Sequence, residues 1–99
     1  MMDATSTITV VARWQPLPGR SDTVLVLVAA LRAASLAEAG CLGYEAYRGV
    51  DDPDAILLVE RYRDRAAIDS HRESGHYRDL VVERILPLLA SRQVELLHA

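Results

Sequence analysis

The stretch Ile56-Leu57-Leu58-Val59, running into Glu60-Arg61-Tyr62, decides the fold. Side chains alternate across a β-strand, so this run places Ile56 and Leu58 on one face and Leu57 and Val59 on the other. A sheet with helices on one side and water on the other alternates apolar and polar residues instead. The first β-like run, Thr7–Gln15, repeats the pattern, with Ile8 and Val10 opposed to Val11. Both faces of the sheet are therefore apolar, and two helices can cover only one of them. The second face calls for another surface, most economically a second copy in a two-fold homodimer burying ~800 Å² or more per partner.

Working outward, Cys41–Gly49 and Ala55–Tyr62 flank Val50-Asp51-Asp52-Pro53-Asp54, which reads as a hairpin. The acidic tip lacks the further oxygen ligands and glycine spacing of a calcium loop, and Asp and Pro are ordinary turn formers. Upstream, Pro16-Leu17-Pro18-Gly19 ends the first strand. Ser21 as N-cap, Asp22 in the first turn and Gly40 as a stop then bracket a helix. Val24–Val28 would also suit a buried strand, but the span between the stop signals has helix length. Val24, Val28, Leu31 and Ser35 share its inner face. Downstream, Asp64 caps a helix through Arg72, Ser74-Gly75 interrupts it, and His76–Leu86 resumes a helical pattern that Pro87 disturbs. Gln93–His98 reads as the closing strand. The order β-α-β-β-α-β is the ferredoxin-like plan: an α+β fold with an antiparallel sheet.

The 99 residues, 51% of them apolar, suffice for one core and predict a single domain over 1–99. Eleven basic against fourteen acidic side chains, a net charge of −3, leave no positive excess for phosphates, which argues against nucleic acid. The longest apolar run, Val24–Leu31, is far shorter than a membrane span, and no leader pattern is visible. With Cys41 as the sole cysteine, these features predict a cytoplasmic protein. The chain has no Lys, Asn or Phe. The missing Lys closes Schiff-base and phosphate-loop chemistry.

Three motifs carry a family resemblance. Glu38-Ala39-Gly40-Cys41-Leu42-Gly43-Tyr44-Glu45, then Glu60-Arg61-Tyr62-Arg63-Asp64, then His71-Arg72-Glu73-Ser74-Gly75-His76-Tyr77 together resemble the antibiotic biosynthesis monooxygenase domain over nearly the whole chain. The resemblance implies a dimeric α+β barrel. It also implies activities ranging from cofactor-free oxygenation of phenols and quinols to haem degradation. The haem-degrading arrangement needs an Asn in the first strand with a Trp and a His on the second helical segment. Here those positions fall on Ala12, His71 and near Val81, so that branch is disfavoured, and the Asn and Trp of some phenol oxygenases are missing too.

The expectation is a monooxygenase of a quinol or polyphenol, using dioxygen and no cofactor, in an apolar pocket between sheet and helices. His71 is the first candidate base, its ordinary pKa near 6.5 suiting the task. His76 is second, with capping or packing as its plainer role. Glu60 is a candidate buried acid, pairing with Arg13 or Arg61 being the alternative. Trp14, Tyr44, Tyr62 and Tyr77 are candidates for an aromatic substrate, and Arg13 or Arg48 for an anionic one. His71 and His76, five apart, stand ~140° apart on a continuous helix and lack the i,i+4 spacing of a metal pair, so no metal is expected. The competing functions are a non-catalytic small-molecule-binding or stress-related dimer, and an isomerase or decarboxylase.

Overall fold

The computed structural model describes residues 7–99. Strand β1 (Ile8–Pro16) leads to helix α1 (Ser21–Leu36), the hairpin β2 (Cys41–Arg48) and β3 (Ile56–Tyr62), and helix α2 (Arg65–Arg72). A π-helical segment (Tyr77–Ile85), a 3-10 turn (Leu86–Leu88) and strand β4 (Leu89–His98) complete the chain. The sheet is antiparallel throughout, in the order β2-β3-β1-β4. This is the ferredoxin-like arrangement read from the sequence.

The core lies between one face of the sheet and the helices. Ile56, Leu58 and Tyr62 of β3 and Val10, Ala12 and Trp14 of β1 meet Val24, Val28 and Leu31 of α1, Ile68 of α2, and Val81 and Ile85 of the π-helical segment. On the opposite face Val11, Leu57 and Val59 form an apolar centre and are only half-buried. Tyr47 and Leu97 beside them are 53% and 52% exposed. Arg13 also lies on this face, its Nη1 2.6 Å from Glu95 Oε1, so it stands away from the helices.

Several local details depart from the sequence reading. Ser21 is the first helical residue and not the cap; its hydroxyl donates to Asp54 Oδ1 at 2.7 Å, tying α1 to the hairpin tip. Asp64 does cap α2, accepting from the Ala67 backbone N–H at 2.9 Å. The final strand begins at Leu89 and not Gln93, because β1 extends to Pro16 and offers partners along its whole length. The ladder shifts between Gln15 and Pro16, where proline has no N–H to give.

Gly40 sits past the end of α1, which stops at Leu36. A side chain at Gly40 would collide with the Cβ of Ala67 on α2. The missing Cβ is what lets α2 close on the loop after α1, and the Arg63 backbone N–H donates to the Gly40 carbonyl at 2.8 Å alongside. Gly40→Ala is therefore expected to cost about 1–3 kcal/mol in denaturant unfolding, as an overpacked contact. Adding Ala67→Gly should recover part of that loss, and strictly additive losses would contradict the contact.

Candidate functional site

The close approach at Gly40 sets up the site. His71 lies one turn beyond Ala67 on the buried face of α2, and it meets Glu38 from the loop that Gly40 keeps close. His71 Nδ1 is 2.9 Å from Glu38 Oε2. On the other side of the ring, His71 Nε2 is 3.8 Å from Glu60 Oε1, too long for a hydrogen bond. Glu60 Oε1 accepts instead from the Tyr62 hydroxyl at 2.6 Å. The imidazole is 4% exposed, and its ring centre stands 5.2 Å from those of both Tyr62 and Tyr77.

Two carboxylates thus flank one buried histidine, and the ring nitrogens are distinguished by their partners. Glu38 Oε2 accepts a hydrogen bond from Nδ1–H, which leaves the lone pair on Nε2, facing Glu60. Burial holds His71 below its ordinary pKa, against the raising effect of the Glu38 contact, which favours the neutral ring. Burial pushes the Glu60 carboxyl up to about 7, with the Tyr62 hydrogen bond and Arg72 pulling it the other way. Burial, and then the nearby Glu60 charge, also raises the Tyr44 and Tyr62 hydroxyls, which stay protonated.

These groups line a narrow pocket of about 40 Å³ between the sheet and the helices. Glu60, His71, Tyr44 and Tyr62 are among its buried lining residues, with the exposed Arg72 and Arg92 at the rim. Trp14 lines it as well, and its indole Nε1–H is buried with no partner among the described residues. Apolar side chains such as Val10, Leu31, Ile68 and Val81 make up much of the remaining lining.

Of the residues singled out beforehand, His71, Glu60, Trp14, Tyr44, Tyr62 and Tyr77 converge on this pocket. Two do not. Arg13 is on the helix-free face, paired with Glu95, and is too far round the sheet to neutralise Glu60. His76 lies outside the lining; its Nε2 is 2.5 Å from Glu38 Oε2, on the outer side of the cluster. Arg48 is engaged at the hairpin by Asp22 and the Pro53 carbonyl.

His76 reaches Glu38 because the helix is not continuous. The Ser74 hydroxyl donates to the His71 carbonyl at 2.7 Å and accepts from the Tyr77 backbone N–H at 3.2 Å. The same side chain therefore ends α2 and starts the next segment, and the angular separation of a continuous helix does not apply. Glu38 and the rim arginines Arg72 and Arg92 are the functional candidates that sequence reasoning missed. Glu38 was visible only as the acidic residue before Gly40-Cys41.

Comparison with known proteins bears on what such a site does. The family model described as "Antibiotic biosynthesis monooxygenase" matches residues 7–83. A protein of Mycobacterium tuberculosis named "Putative monooxygenase Rv0793" is 40% identical over 73 residues, 74% of this chain and 71% of that one. The solved structure of Rv0793 superposes with a TM-score of 0.86 at 34% identity, covering 93% of each chain. PA3566 from Pseudomonas aeruginosa gives a TM-score of 0.90 at 26% identity, over 99% of this chain and 98% of that one.

Proposed function

The chain belongs to the antibiotic biosynthesis monooxygenase family, and on that footing we propose that it oxygenates a small phenol or hydroquinone with dioxygen and no bound cofactor. The observation that carries this reading is the buried histidine held between Glu38 and Glu60 at the pocket. A phenolic O–H placed beside His71 Nε2 and the Glu60 carboxyl gives up its proton to Nε2. Glu38, on the far nitrogen, steadies the imidazolium that forms. The resulting phenolate is electron-rich enough to reduce dioxygen itself. One oxygen atom stays in the product and the other leaves as water, with the electrons drawn from the substrate.

The remaining groups serve that anion. The unpartnered Trp14 N–H and the rim arginines Arg72 and Arg92 are donors for developing negative charge. A pocket of about 40 Å³ holds a few waters and not a ring, so the substrate ring lies at the mouth, or the wall yields to admit it. The segment that supplies Tyr77 and Val81 to this wall is π-helical, a rare form that recurs at functional sites.

The test is oxygen uptake by chelator-treated protein across a panel of phenols and hydroquinones. Consumption above the spontaneous oxidation rate, with an oxygenated product by mass spectrometry, is the expected result. The narrowness of the pocket favours one competing reading, a non-catalytic binder. It would give ligand-dependent thermal stabilisation with no oxygen uptake.

A second copy covers the helix-free face in this reading. Val11, Leu57 and Val59, with Tyr47 and Leu97, form the apolar centre of that contact, and polar residues such as Glu45, Arg61 and Gln93 surround them. Sedimentation at low micromolar concentration should give about twice the 10.9 kDa chain mass. A single species at the chain mass would remove the dimer.

A further inference from the structure

The outward side of the Glu38–His71 contact carries chemistry that the pocket does not use. Glu38, His71 and His76 each bring one ligand atom within 4.8 Å of the others, Glu38 Oε2 touching both His71 Nδ1 and His76 Nε2, and neither Glu38 nor His76 lines the pocket. The donors come from three separate pieces of chain: the loop after α1, the end of α2 and the residue that precedes the π-helical segment. We propose that Glu38, His71 and His76 form a binding site for a divalent transition-metal ion of the Zn²⁺ class, and that filling it reverses which nitrogen of His71 carries the proton.

The donor set fits such an ion. Two imidazoles and one carboxylate make a three-ligand site with a fourth position left to water, a combination suited to Zn²⁺ and its neighbours and too poor in oxygen for Ca²⁺ or Mg²⁺. Bonds of ~2.0–2.1 Å in a tetrahedron place donors roughly 3.3 Å apart. The two carboxylate–imidazole contacts, at 2.9 and 2.5 Å, need to open by less than about 1 Å to admit the ion. The outer two groups have freedom to do so, since the side chains of Glu38 and His76 are 19% and 25% exposed. An outer-shell partner is already in place: Glu60 faces the remaining nitrogen of His71 at 3.8 Å, the position from which a carboxylate orients a metal-bound imidazole.

The consequence for His71 follows from counting protons. Without metal, Nδ1–H points at Glu38 and Nε2 carries the lone pair. A metal ion needs the Nδ1 lone pair, so the ring proton moves to Nε2, where it is donated toward Glu60. The pocket side of His71 then has a donor where it had a base. Resting on the function proposed above, this makes the metal an inhibitor of proton abstraction and not its cofactor.

Two readouts independent of turnover test this. Titration with ZnCl₂, and with CoCl₂ followed by its visible absorption, should give one ion per chain with the intense bands of four-coordinate cobalt. His76→Ala and Glu38→Gln should each weaken Zn²⁺ binding more than about 100-fold, beyond the loss usual for an outer-shell partner. His98→Ala, at the exposed histidine of β4, should leave it unchanged. Nitrogen-15 NMR of the His71 ring should report the Nδ1–H form in chelator-treated protein and the Nε2–H form with one equivalent of Zn²⁺. The proposal is overturned if Zn²⁺ fails to bind at micromolar concentration, if both cluster variants bind it as well as the parent, or if the His71 tautomer does not change. Failure of the proposed oxygenase would look different: zinc binding and the tautomer change would persist in a protein that consumes no oxygen with any phenol.

Discussion

His71→Ala lowers the rate of oxygen uptake by about 10²–10⁴-fold, the range lost when a positioned acid–base group is removed. The size of the effect rests on burial and tautomer together. The imidazole is 4% exposed, so bulk water cannot easily replace it as proton acceptor. Its lone pair is aimed at the pocket only because Glu38 holds the proton on the other nitrogen. Glu38→Gln should lower the rate less than loss of the imidazole, since it leaves the ring in place and removes the charge that fixes it. Circular dichroism and unfolding curves on the same variants separate a lost base from a lost fold. Turnover unchanged in folded His71→Ala would remove this residue from the mechanism.

Glu60→Gln makes the protein more stable at pH 8 than the parent, and the advantage shrinks as pH falls. The carboxyl has an ordinary pKa of 4.5, raised to about 7 in the folded state by burial. A folded-state pKa above the unfolded one means that folding favours the protonated form. The stability from this group is complete below about pH 4.5 and is lost as pH rises through about 7. The shift corresponds to about 3 kcal/mol at alkaline pH, as an order of magnitude. Glutamine accepts the Tyr62 hydroxyl as the carboxylate does but carries no charge to bury. The stability difference between variant and parent should therefore grow by about 3 kcal/mol from pH 4.5 to pH 8 in denaturant unfolding. His71 works in the opposite sense: its pKa is lowered, so its contribution is present above pH 6.5 and lost as pH falls. That contribution is common to both proteins and largely cancels in the difference. A pH-independent difference would contradict a charged, buried Glu60.

The sheet was legible in the sequence because Ile56-Leu57-Leu58-Val59 and the opposed Ile8, Val10 and Val11 leave few alternatives once strand period is applied. The inner face of α1 was equally legible, since Val24, Val28, Leu31 and Ser35 repeat at helical spacing and all four are buried. The site was half legible. Glu60 stood out as a carboxylate directly after an apolar run, and His71 as a histidine within a helical pattern. Glu38 did not, because its role arises from tertiary contact: Gly40 draws α2 against the loop, and no local pattern records that. The meeting of His71 and His76 was obscured for another reason. Ser74 was read as an interruption, but its two hydrogen bonds turn the chain so that residues on different sides of an ideal helix reach the same carboxylate. Arg13 failed as a partner for Glu60 through simple alternation, because it occupies the opposite face of β1 from Ala12 and Trp14.

The most direct test of the proton-transfer site is the structure of chelator-treated protein bound to an oxygen-stable phenol that inhibits oxygen uptake. The expected result is a phenolic oxygen within ~2.6–3.2 Å of His71 Nε2 or the Glu60 carboxyl, with Glu38 still on Nδ1. A phenol seated on the helix-free face, or in the pocket with its oxygen turned away from both groups, would contradict it.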